Sequence, residues 1–146
     1  MKSVLQQLLE EAQNEKSPQE RGYGRFPIEI AERCGRAEVK EILQRLDTLG
    51  SDKASLPAWD TDSQDEIWRV QKGFSEVLER LTAKYIDELV LGFESEVNET
   101  AFWVAHAILN APNDKAIEPL VSYLERDIPE LNRKVASEAL AACQNL

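Results

Sequence analysis

Two cysteines, one histidine and one methionine in 146 residues leave little material for metal or nucleophilic chemistry. Cys34 and Cys143 stand 109 positions apart inside helical patterns, without the close spacing of a metal knuckle or a redox pair. Each reads as a free thiol acting as a small buried hydrophobe. A lone His106 supplies neither a His pair for zinc nor a relay partner, so a packing or surface-polar role is expected of it. The six glycines form no phosphate-cradling loop and no nucleophile elbow. No run approaches the ~20 apolar residues of a membrane span. The opening Met1–Glu11 is too polar for a leader core, so the expected location is the cytoplasm. Basic residues are also short: 17 against 27 acidic ones, a formal charge of −10. Such a field repels phosphate backbones and anionic lipid, which argues against nucleic-acid or membrane partners and favours a basic protein.

What is present is a globular composition, 42% hydrophobic and 30% charged, in a length that suits a single domain over 1–146. The charge is uneven. Residues 1–50 hold 8 basic against 9 acidic side chains, and residues 51–146 hold 9 against 18.

Period-two alternation is absent, and helical spacing is everywhere. A first helix is predicted over 3–13, followed by a polar stretch from Asn14 to Gly24. Pro27 opens a short helix over 28–33, and Gly35 separates it from another over 37–47. Gly50 to Ala58 is expected to be a loop. Ser63 and Glu66 have capping-box spacing, which starts a helix at about Gln64 and carries it to Arg80. A further helix over 83–92 should stop at Gly92-Phe93. The last three are predicted over 97–110, 114–126 and 130–144, with Pro112 and Pro129 at the breaks. The fold class is all-α.

A shift of 31 residues lays Lys84–Glu94 on Lys115–Glu125, with Lys, Ile, Leu, Val and the last Glu identical. The same shift lays Val104-Ala105 on Val135-Ala136 and Ile108-Leu109 on Ala139-Leu140. A helix pair that repeats at this period marks a short α-solenoid of stacked antiparallel pairs. Ile86, Leu89, Val90, Ile117, Leu120, Val121, Val135 and Leu140 should then share one core.

The run Ala107–Leu120, an alanine-rich helix, a Pro-Asn-Asp turn and an Ala-Ile-x-x-Leu second helix, resembles a HEAT repeat. Ile128–Leu140 resembles the start of the next, so the likeness covers about 62–146, in a HEAT-like half over 59–146. Gly24–Leu43 is similar to one ankyrin repeat through Gly24, Pro27, Ala31, Gly35, Glu38, Val39 and Leu43, in an ankyrin-like half over 1–48. It departs at Phe26 and Glu29, where that family places Thr and His. Small single-domain proteins of these two types include bacterial immunity proteins that neutralise one cognate toxin domain. The resemblance therefore implies a non-catalytic immunity protein, as in contact-dependent growth inhibition, with a basic, nuclease-type toxin as its partner. A cytosolic scaffold or adaptor domain is the alternative. A HEAT-like lyase or prosthetic-group chaperone would need a ligand-lined cleft.

No catalytic residue, cofactor or metal is assigned. Asp60-Thr61-Asp62 lacks the glycine and final glutamate of a calcium loop. Two partner-binding surfaces are expected. The first is Trp59 with Asp60, Asp62, Asp65 and Glu66, an aromatic anchor rimmed by charge. Two accounts fit Trp59: it anchors a partner, or it folds back over the joint between the two halves. The second surface is an acidic stripe on the second helices of the repeats, made of Asp87, Glu88, Glu94, Glu118, Glu125 and Asp127. Phe102 and Trp103, adjacent on one helix, cannot share a face, so one should be core and the other partly exposed.

Overall fold

Prolines and side-chain caps set several of the helix boundaries. The computed structural model describes residues 2–14 and 30–146, and every regular element within them is helical. Helix α1 spans Val4–Asn14, α2 Arg36–Ala54, α3 Thr61–Leu89, α4 Asn98–Asn110, α5 Ile117–Leu124 and α6 Glu130–Gln144. Short 3-10 segments at Val90–Glu94 and Asp114–Ala116 lead out of α3 and into α5. A helical turn at 30–32 precedes α2. The expected loop after Asn14, the first residues of the 28–33 helix and the Gly24–Glu29 part of the ankyrin-like motif lie outside the described residues. Pro129 stands at the N-cap position of α6, while Asn113 caps the turn before α5 by accepting from the Lys115 amide. Among the described residues no helix is long and apolar enough to cross a membrane.

Three boundaries differ from those predicted. Gly50 does not end a helix: α2 runs on to Ala54. A Cβ at Gly50 would lie 2.6 Å from Val97 Cγ1, so the glycine permits close approach of the chain after α3 rather than a turn. Ser63 is not the cap of α3. Asp60 takes that place, its carboxylate accepting from the Ser63 amide at 3.2 Å, and the helix begins at Thr61. The helices expected over 64–80 and 83–92 are joined. No proline interrupts them, and the break shrinks to Tyr85, whose φ −127° and ψ 33° kink the helix at one residue.

Packing follows chain order except that α4 packs on α6, past α5. α2 lies against α3, α3 against α4, α4 against α6, and α5 against α6. Some hydrogen bonds between these layers span 31 to 34 residues. Asn110 Nδ2 donates to Glu79 Oε1 at 2.9 Å, and Asn113 Nδ2 to the Thr82 carbonyl at 3.0 Å, each spanning 31 residues. Arg126 reaches the Phe93 carbonyl across 33 residues and Asn132 the Asn98 carbonyl across 34. Burial recurs likewise. Phe74, Ala105 and Ala136 are all buried, as are Val77, Ile108 and Ala139. The buried apolar side chains, from Leu5 to Cys143, form one cluster.

Of the eight residues expected in the core, Ile86, Leu89, Leu120 and Val135 are buried. Val90, Ile117 and Leu140 pack partly buried against them. Val121 is the exception at 38% exposed. α5 turns Leu120 and Tyr123 inward, and the next position after Leu120 lies about 100° round the helix. Trp103 is core and Phe102 is partly buried, the division their adjacency requires.

Candidate functional site

The loop before α3 is closed by backbone and side-chain bonds. The Asp60 amide donates to the Pro57 carbonyl at 3.0 Å, and Gln64 Nε2 donates to the same oxygen at 3.0 Å. This turn holds Trp59 outward, 80% exposed. The alternative in which Trp59 covers a joint between the halves is thereby overturned: a turn fixed on both sides of the residue directs its ring away from the core.

The first turns of α3 continue this exposure. None of the residues 61–70 is buried, and burial begins only at Gln71. Asp62, Asp65 and Glu66 are exposed. Trp68 is 43% and Val70 38% exposed. These turns carry three exposed carboxylates with Trp59 just ahead of them, while Ser63, Gln64 and Ile67 are half-buried and Trp68 packs edge-on against the buried Trp103, ring centres 6.0 Å apart. Asp60 belongs to this segment, but its carboxylate is spent as the cap.

The second expected surface is less continuous. Asp87, Glu118, Glu125 and Asp127 are exposed. Glu94 is exposed but paired, accepting from Arg126 Nη2 at 2.9 Å. Glu88 departs most from the expectation. It is buried, and it pairs with Arg36 Nη1 at 2.9 Å. The kink at Tyr85 shifts the helical phase that follows, and Glu88 falls against the start of α2 rather than into solvent. The Arg36 guanidinium also lies 5.9 Å from the centre of the Tyr85 ring.

His106 sits half-buried among rings, with Trp103 at 5.5 Å and Phe102 at 6.3 Å between centres. The Ser75 hydroxyl donates to the Trp103 carbonyl at 2.9 Å and lies 3.4 Å from His106 Nδ1. Burial holds the imidazole's pKa below its ordinary value; Glu79 opposes this and Lys72 adds to it. The folded state therefore takes up this proton less readily than the unfolded chain. Its contribution to stability is complete above the ordinary value of 6.5 and is lost as pH falls through the lowered one. Glu76, raised by burial, acts with the opposite sign around its own lower range. His106→Ala should flatten the loss of stability just below pH 6.5, as read from urea unfolding at a series of pH values, and should leave partner binding intact. An unchanged slope would mean that the imidazole titrates alike in both states.

Both cysteines are buried and free. Desolvation, helped by Glu38 and Glu41, pushes the Cys34 thiol up to about 11, which leaves it a poor nucleophile near neutrality. Among the described residues no group of three or more His, Cys, Asp or Glu is placed to hold a metal ion.

Sequence reasoning missed one feature altogether. A cleft opens between the end of α2, the first turns of α3 and the connection into α4, lined in part by Gly50, Lys53, Gln64, Glu96 and Glu99. Its walls come from segments some 46 residues apart in the chain, as the Lys53–Glu99 ion pair at 3.0 Å illustrates. No local pattern marks them. Comparison of the chain with protein-family models, with curated proteins and with solved structures found no match.

Proposed function

We propose that this chain is a non-catalytic protein-binding module built as a short α-solenoid, and that it acts as a bacterial immunity protein against a basic, nuclease-type toxin domain. The observation that carries this reading is the outward Trp59 just ahead of a helix whose first turns bear the exposed Asp62, Asp65 and Glu66. A large aromatic side chain left in water is costly unless something covers it, and tryptophan is prominent among interface hot spots. The carboxylates beside it would steer a basic partner onto the same surface. The recurrence of hydrogen bonds near 31 residues supports the solenoid part, and the likeness to HEAT and ankyrin repeats supports the class.

The reading requires a toxin: a basic C-terminal domain of a large secreted protein encoded beside this chain. Co-expression should protect cells from that domain, and the purified pair should bind with a dissociation constant of about 1 nM or tighter, near −12 kcal/mol. Binding only in the micromolar range, without protection, would replace the inhibitor with the scaffold alternative.

A further inference from the structure

The outer faces of α5 and of the segment that leads out of α3 carry one pattern, which packing does not demand. On α5, Glu118, Val121, Ser122 and Glu125 are all exposed, at the i, i+3, i+4 and i+7 positions of a single helix face. Asp87, Val90, Leu91 and Glu94 stand at the same spacing where α3 passes into its 3-10 segment. Of these, Asp87, Leu91 and Glu94 are exposed and Val90 is partly buried. Each segment thus sets an apolar centre between two carboxylates, one turn to either side. Leu91 at 52% and Val121 at 38% exposure stay in water, although the nearby Leu89 and Leu120 are fully buried.

The two segments lie side by side and run in the same direction. At one end Asn113 Nδ2 donates to the Thr82 carbonyl at 3.0 Å. At the other, Arg126 donates to the Phe93 carbonyl at 2.7 Å and to Glu94 Oε1 at 2.9 Å. Between these ties the Phe93 and Tyr123 rings stack, 4.9 Å between centres. Arg126 compensates Glu94, but Asp87, Glu118 and Glu125 have no cation partner among the described residues. Lys84 and Lys115 stand one turn further out and pair with none of them. The exposed side chains of 84–94 and 115–127 therefore set five acids against three bases.

We infer that this paired face is the docking site for an amphipathic basic helix of a protein partner. Such a helix would lay its apolar stripe over Leu91 and Val121 and hold Lys or Arg one turn to either side, opposite Asp87, Glu118 and Glu125. The match is one of period. Carboxylates seven residues apart on α5 are separated by about 10 Å along its axis. Cations that flank an apolar i+3, i+4 pair on a partner helix have the same interval. The uncompensated acids select a basic helix over an acidic one and speed its approach. The inference rests on the protein-binding reading and gives it a second contact, on segments other than the Trp59 turn.

The test is an amide NMR titration of the isotope-labelled full chain with a 14-residue peptide of leucine and lysine at amphipathic helical spacing. Two controls of equal length replace its leucines by serine or its lysines by glutamate. Saturable shifts are expected for the leucine–lysine peptide at Leu91, Glu118, Val121 and Ser122, with binding of either control roughly tenfold weaker. Leu91→Asp and Val121→Asp, both at exposed positions, should each weaken binding about tenfold and leave the urea midpoint nearly in place. Equal binding of the serine control would reduce the face to solvated acidic surface and overturn the inference, as would unchanged affinity in both variants. If the peptide shifts only the Trp59 indole and the amides of Asp62, Asp65 and Glu66, the docking face falls while the basic-partner reading stands. If no signals saturate, the docking face falls as well, and protection by co-expression alone decides that reading.

Discussion

Leu120→Ala is expected to lower the unfolding free energy by about 2–5 kcal/mol. Leu120 is fully buried on the eight-residue helix α5. A helix that short has no stability of its own in water, so it stands only by what its buried face contributes. Removing the leucine leaves a cavity in the core beside a helix whose C-terminal end Arg133 of α6 ties down by bonding the Leu124 carbonyl at 2.9 Å. Val121→Ala is the control. The sequence repeat places Val121 in the same core, whereas the structure leaves it 38% exposed, so its loss should cost within about 0.5 kcal/mol. Urea unfolding of the two variants decides between these placements. Equal costs, or a Leu120→Ala cost below about 1 kcal/mol, would mean that α5 packs by another face.

The contrast between these neighbours shows where a linear reading of the chain succeeds. Helical spacing and the prolines at 112 and 129 locate α4, α5 and α6, because those signals act within one turn of the backbone. Asn110 and Asn113 bond partners 31 residues earlier. The reading goes astray where a residue's role is set by a distant neighbour. Gly50 resembles a stop signal, yet it is glycine because Val97 needs the space. Gly92 is constrained in the same way, with Val104 Cγ2 2.6 Å from where a Cβ would stand. Neither contact is visible in a window of local sequence.

The charges follow the same rule. Counting acids along the second helices gives a stripe, but Glu88 is neutralised by Arg36 from 52 positions earlier and Glu94 by Arg126 from 32 later. Asp60, in the other group, is drawn into capping. What survives near an exposed aromatic, without a cation partner among the described residues, is Asp62, Asp65 and Glu66 at the start of a helix, where the dipole favours them. Their exposure was legible in the sequence. The cleft behind them was not, because Gly50, Gln64 and Glu96 meet only after α2, α3 and α4 have packed.

These assignments separate the two contributions to binding in a kinetic experiment. Reversing Asp62, Asp65 and Glu66 together should slow association and flatten its dependence on salt, since exposed charges act mainly through long-range steering. Asp60 is left alone in that variant, because its loss would cost the cap about 0.5–2 kcal/mol and confuse stability with binding. Trp59→Ala should do the opposite. It should leave association nearly unchanged and raise the dissociation rate about thirtyfold, the equivalent of about 2 kcal/mol at a hot spot. The ring makes no contact that the fold depends on, being 80% exposed, so the variant should unfold at the same urea concentration as the parent. If the reversals leave association unchanged from low to high salt, these acids are ordinary solvated helix surface. A partner is then to be sought elsewhere, first on the basic edge at Arg33, Arg36 and Lys40, with Arg25 outside the described residues. That edge begins at a disadvantage, because Arg36 already carries Glu88 and the Tyr85 ring, and a partner would have to compete with a buried carboxylate for it.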